Sequence, residues 1–312
     1  KTTTKDAVAQ VLGAKFRVLK SQGNLNNGFG LPLQLLKLEP EHQVAVMEMG
    51  MNDAGEIAAL AKIAEPDWEV VSNVGPVHLE FFADGIAGIA RAKYELVQAL
   101  PPDGLAVLNF DDEYVASFAR GMGLRAVFYG LRDGAEVQAT HVEEIGAEGV
   151  VFTVEAHGQR AGVQLRLLGR HNVGNALAAI AVGLRSGMEL AECAAAVGEM
   201  RAGDKRGELL EWRGATLIND CYNSNPRALD AMVDALMAIP GERHIVVAGE
   251  MLELGPEAEV LHAACGKAAA GLDFVIGVRG HAREIVEAAR EAGVAAVFVE
   301  TPEEAGAWLR AN

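Results

Sequence analysis

Several stretches of this sequence combine residue types that handle anions and hard cations. Lys1-Thr2-Thr3-Thr4 heads a run with helical periodicity. A lysine followed by hydroxyl side chains at a helix N-terminus suits phosphate: the ammonium group reaches phosphate oxygens, a hydroxyl meets Mg²⁺, and the helix end favours negative charge. Threonines also cap helices routinely, and that plainer role stays open. Glu48 closes the apolar run Val44-Ala45-Val46-Met47. A carboxylate at the C-terminal tip of a strand can hold a hard cation, or it can be an ordinary strand-end charge. His78 follows a second strand-like run, Val70-Val71-Ser72-Asn73-Val74, and could face the same crevice or be polar loop surface. Lys93, spaced among apolar residues of a helical stretch, reads by itself as a solvated charge.

A second group of residues offers hydrogen bonds rather than charge. The loop Gly23 to Pro32 carries Asn24, Asn26 and Asn27 among turn formers, which suits either a polar ligand or a multi-turn connection. Asn172 and Asn175 lie three apart and so share a helix face; their amides could read a base edge, with N-capping by Asn172 as the alternative. Asn219-Asp220-Cys221-Tyr222-Asn223-Ser224-Asn225-Pro226 leaves a strand and enters a helix, which puts Asp220 where ribose hydroxyls are often bound, unless capping by Ser224 or Asn225 explains the turn. Arg206 sits in a polar break, where it could meet phosphate or stay solvated.

These residues need a scaffold, and the periodicity supplies one. Helices are expected at 2–12, 55–64, 86–100 and 112–121, alternating with strands at 44–49, 69–74, 105–109 and 125–129, the pattern of a mostly parallel sheet covered on both faces. Between 135 and 168 the period becomes two, with glycine punctuation, which predicts antiparallel strands appended to that sheet. Helices at 172–185 and 189–200 follow. The break Gly203-Asp204-Lys205-Arg206-Gly207 then predicts a boundary near 204, giving domains 1–204 and 205–312. Beyond it, strands at 208–212 and 215–219 lead into alternating helices and strands (225–238, 244–248, 257–270, 273–277, 280–291, 295–299), a smaller Rossmann-like α/β domain.

Composition narrows the class. The 312 residues are 50% hydrophobic, enough for sizeable cores, and no apolar run reaches the roughly 20 residues of a membrane span. Acidic residues outnumber basic ones 43 to 27, for a net charge of −16, which argues against a nucleic-acid partner. The three cysteines are widely spaced and odd in number, which fits a reducing cytoplasm better than a disulfide framework or a zinc site.

Taken in order, Lys1-Thr2-Thr3-Thr4-Lys5-Asp6, Gly23-Asn24-Leu25-Asn26-Asn27, Met47-Glu48-Met49-Gly50, Asn73-Val74-Gly75-Pro76-Val77-His78-Leu79-Glu80 and Ala90-Arg91-Ala92-Lys93 resemble the central domain of the Mur ligases. His171 to Ala176, Asn219 to Pro226 and Gly249 to Gly255 resemble the dipeptide-adding branch of that family in particular. The resemblance implies a P-loop-type central domain and ATP-driven amide ligation: phosphorylation of a UDP-linked muramoyl tripeptide carboxylate, then attack by the amine of D-alanyl-D-alanine. It further implies phosphate binding by Lys1 with Thr3 nearby, and one Mg²⁺ on Thr2 and Glu48. A second Mg²⁺ is implied on His78 beside a carbamylated Lys93, although Mn²⁺ suits a histidine better. Lys1, His78 and Lys93 are thus the implied catalytic set. Asn172, Asn175, Arg206, Asp220 and Tyr222 would surround the nucleotide, Asn24, Asn26 and Asn27 the muramoyl peptide, and 250–255 the dipeptide.

The sequence departs from the family by lacking its uridine-nucleotide domain and the phosphate-loop glycines before Lys1, and its C-terminus looks short of a final strand and helix. A polypeptide of this extent alone is expected to bind ATP poorly and to be inactive. A cytoplasmic monomer is expected. Competing readings are a sister ligase that adds lysine or diaminopimelate, a folylpolyglutamate-type ligase, and an ATP-binding partner subunit that does not ligate. A Rossmann dehydrogenase is disfavoured because no Gly-x-Gly-x-x-Gly opens a helix after a strand.

Overall fold

Apolar positions set the order of elements, and the computed structural model describes them for residues 1–120 and 125–312. Two units result: residues 1–75, 84–144 and 148–201 form the first, and residues 76–83, 145–147 and 202–312 the second. The first unit runs α1 (Thr2–Gly13), β1 (Val18–Lys20), α2 (Gly30–Leu35), β2 (Val44–Val46), α3 (Glu56–Ala64), β3 (Trp68–Val71), α4 (Gly85–Gln98), β4 (Leu105–Asn109), α5 (Glu113–Ser117), β5 (Arg125–Gly130), β6 (Val137–Glu144), β7 (Val150–Ala156), β8 (Gln159–Leu165), α6 (His171–Arg185) and α7 (Leu190–Gly198).

Strands β3 to β8 form one six-stranded sheet in sequence order. Pairing is parallel from β3 to β6 and antiparallel from β6 to β8, so the change of period predicted for 135–168 marks a real change of topology. In β7 the buried residues Val150, Phe152, Val154 and Ala156 alternate with half-buried ones, as one core-facing side requires. Helix α6 is buried nearly all round from Ala176 to Val182, which its alanine-rich sequence permits. Gly183 on α6 explains how closely its neighbours approach: a Cβ there would stand 2.6 Å from both Val11 on α1 and Cys193 on α7.

The expected strand at 44–49 is shorter, and β2 pairs only with β1, in parallel, apart from the larger sheet. The helix expected at 112–121 stops at Ser117, whose hydroxyl donates to the Tyr114 carbonyl (2.7 Å) and competes with the helical ladder; residue 121 lies outside the described residues. Strand β1 and helix α2 were not anticipated by the periodicity.

The second unit opens with β9 (Glu208–Trp212) and β10 (Ala215–Asn219), an antiparallel hairpin turned by Arg213 and Gly214, both at positive φ. It continues with α8 (Pro226–Met237), β11 (Ile245–Gly249), α9 (Ala258–Ala268), β12 (Phe274–Val278), α10 (Ala282–Glu291), β13 (Ala295–Val299) and α11 (Pro302–Ala311). Strands β11, β12 and β13 form a parallel sheet in that order. Its core gathers Val275, Ile285, Ala289 and Leu254, and Trp308 of the unanticipated α11 stacks on Phe274 with ring centroids 4.1 Å apart. Among the described residues no helix is long and apolar enough to cross a membrane.

Candidate nucleotide and cation site

In the first unit, a cavity of about 680 Å³ lies between β2 and β3, with Lys1, Lys5, Glu48, Glu69, Asn73 and Lys93 in its wall. Lys1 is the N-cap of α1, so it stands where helix geometry leaves backbone N–H groups without intrahelical acceptors. Although the residue as a whole is exposed, loss of solvent around its ammonium group lowers its pKa, and the negative charge of Glu48 opposes that shift. No threonine side chain caps α1, so the capping alternative for this stretch fails. Instead Thr4 Oγ donates to Asn175 Oδ1 (2.7 Å).

Glu48 is buried just beyond the end of β2. Asn26 Nδ2 donates to its Oε1 (2.9 Å), and its backbone N–H donates to Ser21 Oγ (3.0 Å). Its Oε2 is sealed from solvent with no hydrogen-bond partner among the described residues. A carboxylate oxygen left this way in a cavity wall fits a hard cation. Lys93 projects from α4 and donates to the Asn73 carbonyl at the rim of the same cavity.

The amide residues divide. Asn26 reaches the cavity carboxylate, whereas Asn27 accepts from the N–H groups of Phe29 and Gly30 (3.2 and 2.9 Å) and so turns the chain into α2. Asn24 contributes its backbone carbonyl, which accepts from Asn26 N–H (2.9 Å). Asn172 does not cap α6; Arg170 occupies the N-cap. The Asn172 amide lies within the first turn, donating to the Leu168 carbonyl (2.7 Å) and accepting from Asn175 Nδ2 (2.9 Å). The two asparagines share a face, as their spacing requires, and with Thr4 they form a chain of hydrogen bonds that ties α6 to the start of α1. His171 beside them is held below the usual histidine pKa by burial.

In the second unit, Arg206, Asp220 and Tyr222 converge. The Arg206 guanidinium lies 4.2 Å from the Tyr222 ring centre, and Tyr222 N–H donates to the Lys205 carbonyl (3.2 Å). Burial raises the Asp220 pKa against a backbone hydrogen bond from Gly207 and the charge of Arg206. Asn225, not Ser224, caps α8, accepting from Ala228 N–H (3.1 Å). His78 is in the left-handed region (φ 61°), and its ring hydrogen-bonds Glu253 within this unit.

Sequence reasoning passed over Ser21, Glu69 and Glu95. Ser21 follows the unanticipated β1. Glu69 announces itself only as a carboxylate at an inward position of an apolar strand. Glu95 accepts from Gly55 and Ala58 N–H groups (2.7 and 3.0 Å) at the start of α3, a contact that joins positions far apart in sequence.

Comparison with known proteins places this geometry. Residues 1–183 match the Mur ligase middle domain, and residues 205–312 match the Mur ligase glutamate ligase domain. The chain belongs to the Mur ligase family. Among Mur ligases it is 36% identical over 283 residues to the UDP-N-acetylmuramoyl-tripeptide–D-alanyl-D-alanine ligase of Escherichia coli (strain K12), covering 89% of this chain and 62% of that protein. The enzyme of the same name from Bacillus subtilis (strain 168) is 35% identical over 268 residues, covering 85% and 57%. The chain thus spans about six tenths of the length of these Mur ligases. A crystal structure of MurF from Acinetobacter baumannii superposes with a TM-score of 0.90 at 31% identity, over 99% of this chain and 67% of that one. MurF from Thermotoga maritima in complex with ADP superposes at 0.88 and 27% identity, over 99% and 70%.

Proposed function

We propose that this chain is the ATP-binding and C-terminal part of a cytoplasmic, monomeric ligase that joins D-alanyl-D-alanine to a UDP-N-acetylmuramoyl tripeptide. The observation that carries the reading is the cavity lined by both Lys1 and Glu48, one of whose carboxylate oxygens has no hydrogen-bond partner among the described residues. Sequence similarity to ligases of that name supports the substrate pair.

In this reading Lys1, with Thr3 and the start of α1, holds ATP phosphate, and Thr2 and Glu48 hold Mg²⁺, which when bound neutralises phosphate charge. His78 and Lys93 serve a second cation, Mg²⁺ or Mn²⁺, with Lys93 carbamylated. Asn172, Asn175, Arg206, Asp220 and Tyr222 contact the nucleotide, the Arg206–Tyr222 stack offering a flat face and Asp220 an acceptor for ribose hydroxyls. Asn24, Asn26 and Asn27 face the muramoyl peptide, Asn26 through its link to Glu48.

The chemistry follows from elementary reactivity. A carboxylate resists attack by an amine; transfer of the γ-phosphoryl group from ATP, with ADP leaving, makes it an acyl phosphate, and the amine adds to its carbonyl carbon, loses a proton and expels phosphate from the tetrahedral intermediate. No protein nucleophile is needed, so these side chains act by alignment and charge neutralisation.

The test is phosphate release from ATP by the complete protein with UDP-muramoyl tripeptide and D-alanyl-D-alanine, lysine or diaminopimelate as amine. Release only with the dipeptide supports the proposal. Release with a single amino acid moves the chain to a sister ligase, and amine-independent release identifies an ATPase that does not ligate.

A further inference from the structure

The second unit brings three metal-ligating side chains together, none of them assigned a role above. Glu259 in the first turn of α9, His281 at the N-cap of α10 and Glu284 in the first turn of α10 each offer one ligand atom, all within 4.8 Å of one another. His281 Nδ1 stands 3.6 Å from Glu284 Oε1, an ion-pair distance too long for a hydrogen bond. The other oxygen of Glu284, Oε2, is sealed from solvent and has no hydrogen-bond partner among the described residues. Two carboxylates drawn together, one of them with an unsatisfied buried oxygen, need positive charge nearby.

We propose that Glu259, His281 and Glu284 bind a first-row divalent cation of the Zn²⁺ class, which clips α9 to α10. Ligand atoms about 2.0–2.2 Å from zinc lie roughly 3–3.5 Å apart, so side-chain rotations of about an ångström gather the three, and water completes a tetrahedron. The imidazole selects Zn²⁺, Co²⁺ or Mn²⁺ over Mg²⁺, which prefers an all-oxygen shell.

The frame around these ligands is fixed. A Cβ on Gly266 of α9 would stand 2.3 Å from the Ile285 carbonyl of α10, so the two helices already touch backbone to backbone there. The His281 N–H donates to Glu250 Oε1 (3.2 Å), and its ring lies 5.6 Å from that of His262. His262 is fully buried and cannot join the ligand set: its Nδ1–H donates to the Ala258 carbonyl (2.7 Å), and its Nε2 accepts from Met251 N–H (2.9 Å). Its ring packs at a tilt beside that of His281. The competing explanation is a proton in place of the metal, with a charged His281 paired to both carboxylates.

Titration of the nucleotide-free, chelator-stripped full-length protein with Co²⁺, followed by its visible absorption and by thermal melting, separates the two. The parent and Glu48→Gln proteins are expected to bind one equivalent at this site and to melt higher with Co²⁺ or Zn²⁺. His281→Ala and Glu284→Gln are expected to weaken that binding about tenfold or more and to abolish the melting shift. Glu259→Gln, an exposed position, tests the same site if either of those variants folds poorly. Equal Co²⁺ affinity in parent and ligand variants overturns the proposal, as does no Co²⁺ absorption up to about 1 mM in a folded parent.

Discussion

Glu69 carries a buried carboxyl group that its surroundings keep protonated well above the usual carboxylate range. It sits in β3 at 3% exposure, in the cavity wall, and neither carboxylate oxygen has a hydrogen-bond partner among the described residues. Burial raises its pKa from 4.5 to about 8. The folded chain therefore keeps this proton up to about pH 8, while the unfolded chain releases it near pH 4.5. Between those values the folded state binds more protons than the unfolded one, so this group's contribution to stability falls as pH rises. At about 1.4 kcal/mol per pH unit, the loss reaches roughly 5 kcal/mol by pH 8 and roughly 3 kcal/mol at pH 7.

Glu69→Gln keeps the shape and removes the titration. Its stability relative to the parent should rise steadily from pH 5 to pH 8 and level off above. Urea unfolding of the 312-residue chain at a series of pH values reports this, followed by Trp68 fluorescence in a Trp212→Phe, Trp308→Phe background; Trp68 is then the sole tryptophan of these 312 residues and lies beside the substituted residue. A difference between Glu69→Gln and parent that does not change with pH refutes the reasoning, because it means that water or a neighbouring cation already reaches the carboxylate.

Three other outcomes are expected. Glu48→Gln should lower ATP-dependent phosphate release about a hundredfold or more and raise the Mg²⁺ concentration needed for half-maximal rate, as steady-state assays across a Mg²⁺ series will show. Lys93→Ala should slow ligation by a similar factor; unimpaired, bicarbonate-insensitive ligation by that variant removes the carbamate from the proposal. Asn225→Ala, which takes away the acceptor for Ala228 N–H, should destabilise the second unit by about 1 kcal/mol in urea unfolding without changing metal dependence.

The α/β alternation was legible because each long element carries its own period. Helix α10 buries Ala282, Ile285, Val286 and Ala289 on one stripe, and β7 alternates strictly. What escaped were elements that owe their existence to partners. Strand β1 is three residues long and is recognisable only through its pairing with β2. Helix α2 sits in a glycine- and proline-bearing stretch and is entered by way of the Asn27 side chain. Helix α11 did carry local signals, a Thr301 cap and Pro302 in its first turn, that periodicity alone overlooked. At the site, Glu48 was readable because an apolar run ends on it. The pairing of Asn172 with Asn175 was readable from spacing, but their ties to Leu168 and Thr4 depend on how α6 meets α1, and no local pattern encodes that.

The same cavity raises the pKa of Glu69 and lowers that of Lys1, and burial is the leading cause of both. Both shifts favour the neutral form, as expected where solvent is scarce and charge is poorly stabilised. Such a wall binds best what restores charge balance. An anion relieves the desolvation of the Lys1 ammonium, and a hard cation satisfies the Glu48 oxygen that no donor among the described residues reaches. A metal-complexed polyphosphate supplies both at once, in a medium where each interaction is stronger than in water. In the proposed reading this cavity therefore takes nucleotide and cation together rather than either alone.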